Sequence, residues 1–288
     1  MKKLTIFFLF LVFGVTAFTQ DFGRKEKINN DWYFNLGDIQ YGGRELMDCS
    51  KWRIVDLPHD WTIKQNASPE LASCTGYLPG GIAWYRKNLT IPAHEEGNKV
   101  YIYFEGVYNN SEVFINGKWV GKRPNGYISF IYDLTPYIKW GEDNSIAVRV
   151  DHSDDADSRW YTGSGIYRDV YLVYAHPIHI NLWGVAYQSS VQNNVATVTV
   201  NTSVKNTIAS SDITVLNALI DGNGKTVASA SKTGIAHAGS ISDFSQKIRL
   251  KSPQLWSIDS PYLYTLKTSI YKNNELIDEN SYKAGIRT

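Results

Sequence analysis

The sequence predicts an all-β protein made of two successive β-sandwiches, and three observations carry that expectation. No stretch of the 288 residues sustains a 3.6-residue apolar period. Strand signals recur instead at intervals of about 8–12 residues, with turn residues between them. The composition changes character near Ala175-His176-Pro177, beyond which Trp becomes scarce and Ser, Thr, Val and Asn dominate. The length alone fits two domains.

The first element is a leader. Lys2 and Lys3 form a short positive region, Leu4 to Ala17 is continuously apolar, and Ala17-Phe18-Thr19 offers small residues for a signal peptidase. Residues 1–20 are read as a signal peptide cleaved after Thr19 or Gln20, which places the protein in a secreted or periplasmic compartment. The stretch is too short to span a bilayer comfortably, and no other run of about 20 apolar residues follows. No Cys stands at the cleavage point for a lipid anchor.

Residues 21–176 are read as the first domain. Val100-Tyr101-Ile102-Tyr103-Phe104 is rich in strand formers. Glu112 to Val120 reads as a hairpin around Asn116-Gly117, a pair that tolerates the positive φ of a type I′ turn. Asn144 to Val150 and Arg168 to Tyr174 alternate as further strands. The domain is long for an immunoglobulin fold, and its long irregular loops fit a jelly roll better. Pro177 cannot donate to a ladder and suits a boundary. Residues 177–288 are read as the second domain, with strands at Val195–Val204, Asp212–Asp221, Asp243–Leu250, Tyr262–Tyr271 and Glu275–Ala284. Turns fall at Asp221-Gly222-Asn223-Gly224 and at Asn273-Asn274. That even spacing over about 110 residues reads as an immunoglobulin-like sandwich.

Several function classes are disfavoured. The formal net charge of +1, from 29 basic and 28 acidic residues, gives no basic excess for nucleic acid or anionic lipid. Gly163-Ser164-Gly165 lacks the third glycine and the following helix of a dinucleotide loop. Asp151, Asp154, Asp155 and Asp157 lack the spacing of a calcium loop and read as a solvated acidic loop. Cys49 and Cys74 either pair in an oxidising compartment or remain two thiols, and they make no zinc site. His59-Asp60 has no nucleophile context and reads as a structural hydrogen-bonded pair. No metal and no cofactor is expected. The aromatic content of 14% exceeds what these exclusions explain. It serves packing in a β protein, and it can also serve sugars, whose C–H faces stack on aromatic rings.

Ordered segments along the chain carry a resemblance. They are Asn30-Asp31-Trp32-Tyr33-Phe34, Trp52 to Trp61 with Leu57-Pro58-His59-Asp60-Trp61, Gly80-Gly81-Ile82-Ala83-Trp84-Tyr85-Arg86, and the Asn116-Gly117 hairpin. Further along come Ser158-Arg159-Trp160-Tyr161-Thr162-Gly163-Ser164-Gly165-Ile166-Tyr167-Arg168-Asp169-Val170, Leu255-Trp256-Ser257, Pro261 to Tyr264, and Ala284-Gly285-Ile286-Arg287-Thr288. Together they closely resemble glycoside hydrolase family 2, especially its β-galactosidase-like members, over essentially the whole mature chain. The resemblance implies a galactose-binding-like jelly roll, then an immunoglobulin-like domain, then a (β/α)₈ barrel that carries the two catalytic glutamates of a retaining mechanism. The chain reaches Thr288 where the family enters its barrel, so no catalytic residue is expected within it. Asn274-Glu275 mimics the family's catalytic dipeptide but lies in a polar hairpin turn.

The resemblance also implies substrate-side loops. The first holds Gly80 and Gly81, which either allow close backbone approach to a sugar or make an ordinary turn before a strand with Trp84 in the core. The second holds Asp157, Arg159, Trp160 and Tyr161, where the family's sugar-contacting carboxylate position falls at Asp157 or Arg159. The implied partners are a β-galactoside-type glycan and a catalytic barrel domain or a second copy of the chain. A free-standing carbohydrate-binding protein and a β-sandwich assembly module are the alternatives.

Overall fold

A computed structural model of the chain describes residues 22–154 and 158–287. Among the described residues seventeen strands form, in this order: β1 (Arg24–Lys27), β2 (Trp32–Leu36), β3 (Arg53–Val55), β4 (Gly81–Thr90), β5 (Lys99–Phe104), β6 (Ser111–Ile115), β7 (Lys118–Arg123), β8 (Phe130–Asp133), β9 (Asp143–His152) and β10 (Val170–Ala175). Then follow β11 (Ile178–Gln192), β12 (Val195–Asn206), β13 (Ser211–Ile220), β14 (Thr226–Ala236), β15 (Ile241–Lys251), β16 (Tyr264–Lys272) and β17 (Glu275–Ala284). Among the described residues no helix is long and apolar enough to cross a membrane.

Two sandwiches result, a jelly roll followed by an immunoglobulin-like domain. The jelly roll packs a sheet ordered β1-β10-β5-β8 against one ordered β3-β2-β4-β9-β6-β7. The second sandwich packs β11-β12-β15 against β14-β13-β16-β17. Sheet membership changes between Ala175 and Ile178. The hairpin at Asn116-Gly117 forms with both residues at positive φ, 48° and 77°. Asn273 and Asn274 turn β16 into β17 in the same way, and Glu275 is exposed there.

The larger sheet obeys simple alternation. Phe34, Tyr85, Val148 and Val113 lie in one cross-strand row and are all buried. The neighbouring row, Asn35, Trp84, Arg149 and Glu112, faces the other side. There the indole of Trp84 is covered by Gly42, where a Cβ would approach the ring to 2.6 Å. Arg149 binds Asp38 at 3.0 and 3.1 Å and Asp151 at 3.1 Å. Trp84 is therefore buried, beneath Gly42 and on the face of the sheet away from the core cluster.

The smaller jelly-roll sheet is apolar on both faces because it is covered on both. Val100, Ile102 and Phe104 of β5 join the core of the first sandwich. Tyr101 and Tyr103 of the same strand, with Val173 and Ala175 of β10, join a second cluster with Phe22, Ile178, Ile180, Val204, Ile213 and Phe244. Each Val, Ile or Phe among them contributes about 1.5–3 kcal/mol by burial. At this seam Asp278 of β17 accepts the backbone N–H of Gly23 at 3.2 Å and that of Ile180 at 2.7 Å, one from each sandwich. Cys49 is a free, half-buried thiol, so the unpaired reading holds for that residue.

Candidate functional site

Four loops converge at one end of the jelly roll: those following β3, β5, β7 and β9. Two antiparallel contacts knit them, with Tyr108 N–H donating to the Gly165 carbonyl and Gly165 N–H to that of Tyr108, each at 2.9 Å. His59 N–H donates to Ile166 at 2.8 Å and Trp61 N–H to the Ser164 carbonyl at 3.1 Å. The glycines of Gly163-Ser164-Gly165 stand at φ of +71° and +126°, so the chain can pass close to Asp60 and Tyr85 without a side chain in the way.

Of the residues singled out from sequence, Arg159, Trp160 and Tyr161 lie together on this surface and are exposed. Trp160 is 59% exposed and Tyr161 42%. Asp157 lies outside the described residues, as do Asp155, Ala156 and the leader, residues 1–20. Gly80 and Gly81 sit at the root of the loop. A Cβ on Gly80 would fall 2.0 Å from the His152 carbonyl oxygen, and Gly81, at φ +111°, pairs with His152 where β9 ends. They serve here as a close backbone approach beneath the loop that carries Trp160.

Two further residues complete the surface. The Trp160 indole N–H donates to the Tyr127 hydroxyl at 3.0 Å, and Tyr127 is 53% exposed. Tyr127 is set by Asn125, whose side-chain oxygen accepts the N–H of Tyr127 at 2.8 Å and of Ile128 at 3.1 Å. Its ring meets Tyr108 edge-on at 5.3 Å. Two exposed aromatic side chains are thus joined at the surface through their polar atoms. The second missed residue is Asp60. Its Oδ1 accepts the N–H groups of Thr62 and Ser164, both at 2.9 Å, and its Oδ2 accepts the Tyr161 hydroxyl. The Tyr161 phenol is raised above its ordinary range, by burial first and then by this carboxylate.

The expected His59–Asp60 pair is a correction. The two side chains bond different partners. Arg53 approaches His59 Nε2 at 3.4 Å, and because a guanidinium can only donate, the ring proton lies on Nδ1, 2.8 Å from the Tyr85 hydroxyl. Burial, then the charge of Arg53, lowers His59 to about 4, so it stays neutral. The adjacent positions diverge because extended backbone sends successive side chains to opposite sides. Tyr127 carried a weak local signal in the Asn125-Gly126 turn, and Asp60 lay within a segment of the resemblance.

Comparison with known proteins agrees with this architecture. The model of glycosyl hydrolases family 2, sugar binding domain, matches residues 26–177, and that of glycosyl hydrolases family 2 matches residues 178–287. Beta-galactosidase BoGH2A of Bacteroides ovatus is 46% identical over 272 residues, which is 92% of this chain and 32% of that protein. A putative beta-glucuronidase of Formosa agariphila is 37% identical over 90% of this chain and 25% of its own length. Among solved structures, a beta-glycosidase from Bacteroides vulgatus superposes with a TM-score of 0.83 at 42% identity, covering 92% of this chain and 34% of that one. The chain thus spans about a third or less of the curated relatives cited.

Proposed function

Because the chain belongs to glycosyl hydrolases family 2, we propose that it is the non-catalytic, substrate-side amino-terminal portion of a secreted β-galactosidase-like enzyme that hydrolyses O-glycosyl bonds. Residues 21–176 form the sugar-binding unit and residues 177–288 the immunoglobulin-like unit that supports it. The leader sequence at residues 1–20 supports export. The working partner is a catalytic barrel domain, and the ligand is a β-galactoside-type glycan, in line with the name of the 46%-identical relative.

The observation that carries the reading is the exposed Trp160–Tyr127 pair. An exposed indole and an exposed phenol can each stack on the C–H face of a pyranose, while the Arg159 guanidinium can donate to its hydroxyls. Retaining hydrolysis needs two carboxyl groups about 5–5.5 Å apart with free oxygens facing the scissile bond. Two carboxylates of these loops are committed elsewhere: Asp60 to Thr62, Ser164 and Tyr161, and Asp151 to Arg149 and Ser153. On this reading Arg159, Trp160 and Tyr127 bind and orient the sugar, and the bond-breaking groups belong to the partner.

Calorimetric titration of the mature chain with lactose, beside an aryl β-galactoside turnover assay, tests this. Loss of the Trp160 ring is expected to weaken lactose binding about tenfold, since a stacked aromatic contact is worth up to about 1.5 kcal/mol. No turnover is expected. Trp160→Ala binding lactose like the parent chain would sink the platform, and turnover abolished by one carboxylate substitution would sink the non-catalytic assignment.

A further inference from the structure

Trp160 is 59% exposed and Tyr161 42%, so burial alone does not fix the pose of the segment and its polar anchors help decide where the rings stand. The two ends of the turn from Tyr161 to Ser164 are anchored unequally. At the far end the Ser164 hydroxyl accepts from Thr62 at 2.5 Å and pairs with His152 Nδ1 at 2.7 Å, and its backbone N–H reaches Asp60 Oδ1. Those bonds hold Ser164 redundantly. At the near end the Tyr161 hydroxyl donates to Asp60 Oδ2. Gly163 lies between, and a Cβ there would fall 2.6 Å from Asp60 Oδ2, so the carboxylate occupies the space a side chain would take. One carboxylate, 101 positions away in sequence from Tyr161, therefore grips both ends of the turn.

We infer that Asp60 is the positioning residue of the sugar platform: its carboxylate holds Tyr161 and Ser164 so that the adjoining Trp160 ring meets Tyr127 and presents its face to the glycan. This rests on the sugar-binding reading of that surface. Asp60 touches no sugar itself. It acts through Tyr161, and the Trp160–Tyr127 bond registers the result.

The test uses the mature chain labelled with ¹⁵N. The indole N–H resonance of Trp160, assigned with Trp160→Phe, reports its bond to Tyr127. Those of Trp32 and Trp84, bound to the Ile28 carbonyl at 2.6 Å and to Asp38 at 3.3 Å, report the fold. Asp60→Asn keeps an oxygen for the Thr62 and Ser164 N–H groups but puts an NH₂ where the Tyr161 hydroxyl needs an acceptor. It is expected to shift the Trp160 resonance, leave those of Trp32 and Trp84 in place, and weaken lactose binding between about twofold and tenfold. Tyr161→Phe is expected to do the same, and the double variant to be no worse than either alone. A Trp160 resonance unmoved by Asp60→Asn, or lactose effects that multiply in the double variant, would overturn the inference. Should Asp60→Asn disturb Trp32 and Trp84, Tyr161→Phe decides alone, because it removes the same bond without touching the two N–H contacts. A parent chain that does not bind lactose counts against the sugar-binding reading, while the indole resonances still decide the role of Asp60.

Discussion

Asp278 gives the sharpest test of how the two sandwiches are joined. Its carboxyl is 7% exposed and lies at the seam, with the Gly23 N–H at 3.2 Å on one oxygen and the Ile180 N–H at 2.7 Å on the other. Burial raises it from the ordinary 3.8 to about 6, against the pull of these N–H groups and that of Glu279. The folded chain therefore holds this proton to higher pH than the unfolded chain does. Between about pH 4 and pH 6 the folded state binds more protons, so stability falls as pH rises through that window. A shift of about two units is worth about 3 kcal/mol. Asp278→Asn removes the titration and resembles the protonated form, because an amide also has one acceptor and one donor end. Urea unfolding followed by Trp fluorescence at pH 4, 5, 6 and 7 measures the effect. The stability of the parent chain minus that of the variant is expected to fall by about 3 kcal/mol from pH 4 to pH 7. Asp38, Asp151 and Asp169 are lowered and titrate below this window in both chains, so they cancel in the difference. A difference that is flat, or that rises with pH, would refute the reasoning and show that the N–H donors hold the carboxylate ionised at no cost.

Other expectations follow from single contacts. Gly80→Ala puts a Cβ 2.0 Å from the His152 carbonyl oxygen, so backbone must move. A loss of about 1–3 kcal/mol is expected, read by calorimetry as a drop of about 2–4 °C in Tm per kcal/mol. His59 is lowered to about 4 from 6.5, so its contribution is fully present above pH 6.5 and is lost as pH falls toward 4. Relative to His59→Gln, the parent chain is expected to lose on the order of 3 kcal/mol over that window, opposite in sign to Asp278; equal slopes in urea titrations would refute it.

The architecture was legible where side chains report their own surroundings. Strands β12, β13, β15 and β17 largely alternate, and turns beside β12, β13 and β17 carry Asp-Gly or Asn-Asn, so local sequence sufficed. Strand β14, Thr-Val-Ala-Ser-Ala-Ser-Lys-Thr-Gly-Ile-Ala, was not read as a strand because it is a sheet edge with few large apolar groups. Strand β11 was hidden by the irregular register between Ile180 and Val185, where Trp183 stands at φ +54°. The site was half legible for a similar reason. Arg159, Trp160 and Tyr161 are contiguous and could be seen as a motif. Asp60 and Tyr127 reach them from 101 and 33 positions away, a relation that only the folded chain creates.

The placement of the platform follows from the sheet that serves both cores. Strand β5 ends at Phe104, which pairs with Phe130 at the start of β8 and with Val170 at the start of β10. Phe104 and Phe130 stack with ring centroids 4.9 Å apart. Tyr108 lies just beyond the end of β5, Tyr127 just before β8, and the Trp160 segment runs into β10. The aromatic loops therefore spring from one rigid edge whose opposite face is locked to the second sandwich through Tyr101, Tyr103 and Val173. Loops rooted this way keep their geometry better than loops on a free sheet edge. This explains why an exposed aromatic surface with little burial of its own sits on strands buried on both sides, and why the second sandwich matters to a proposed site it does not line.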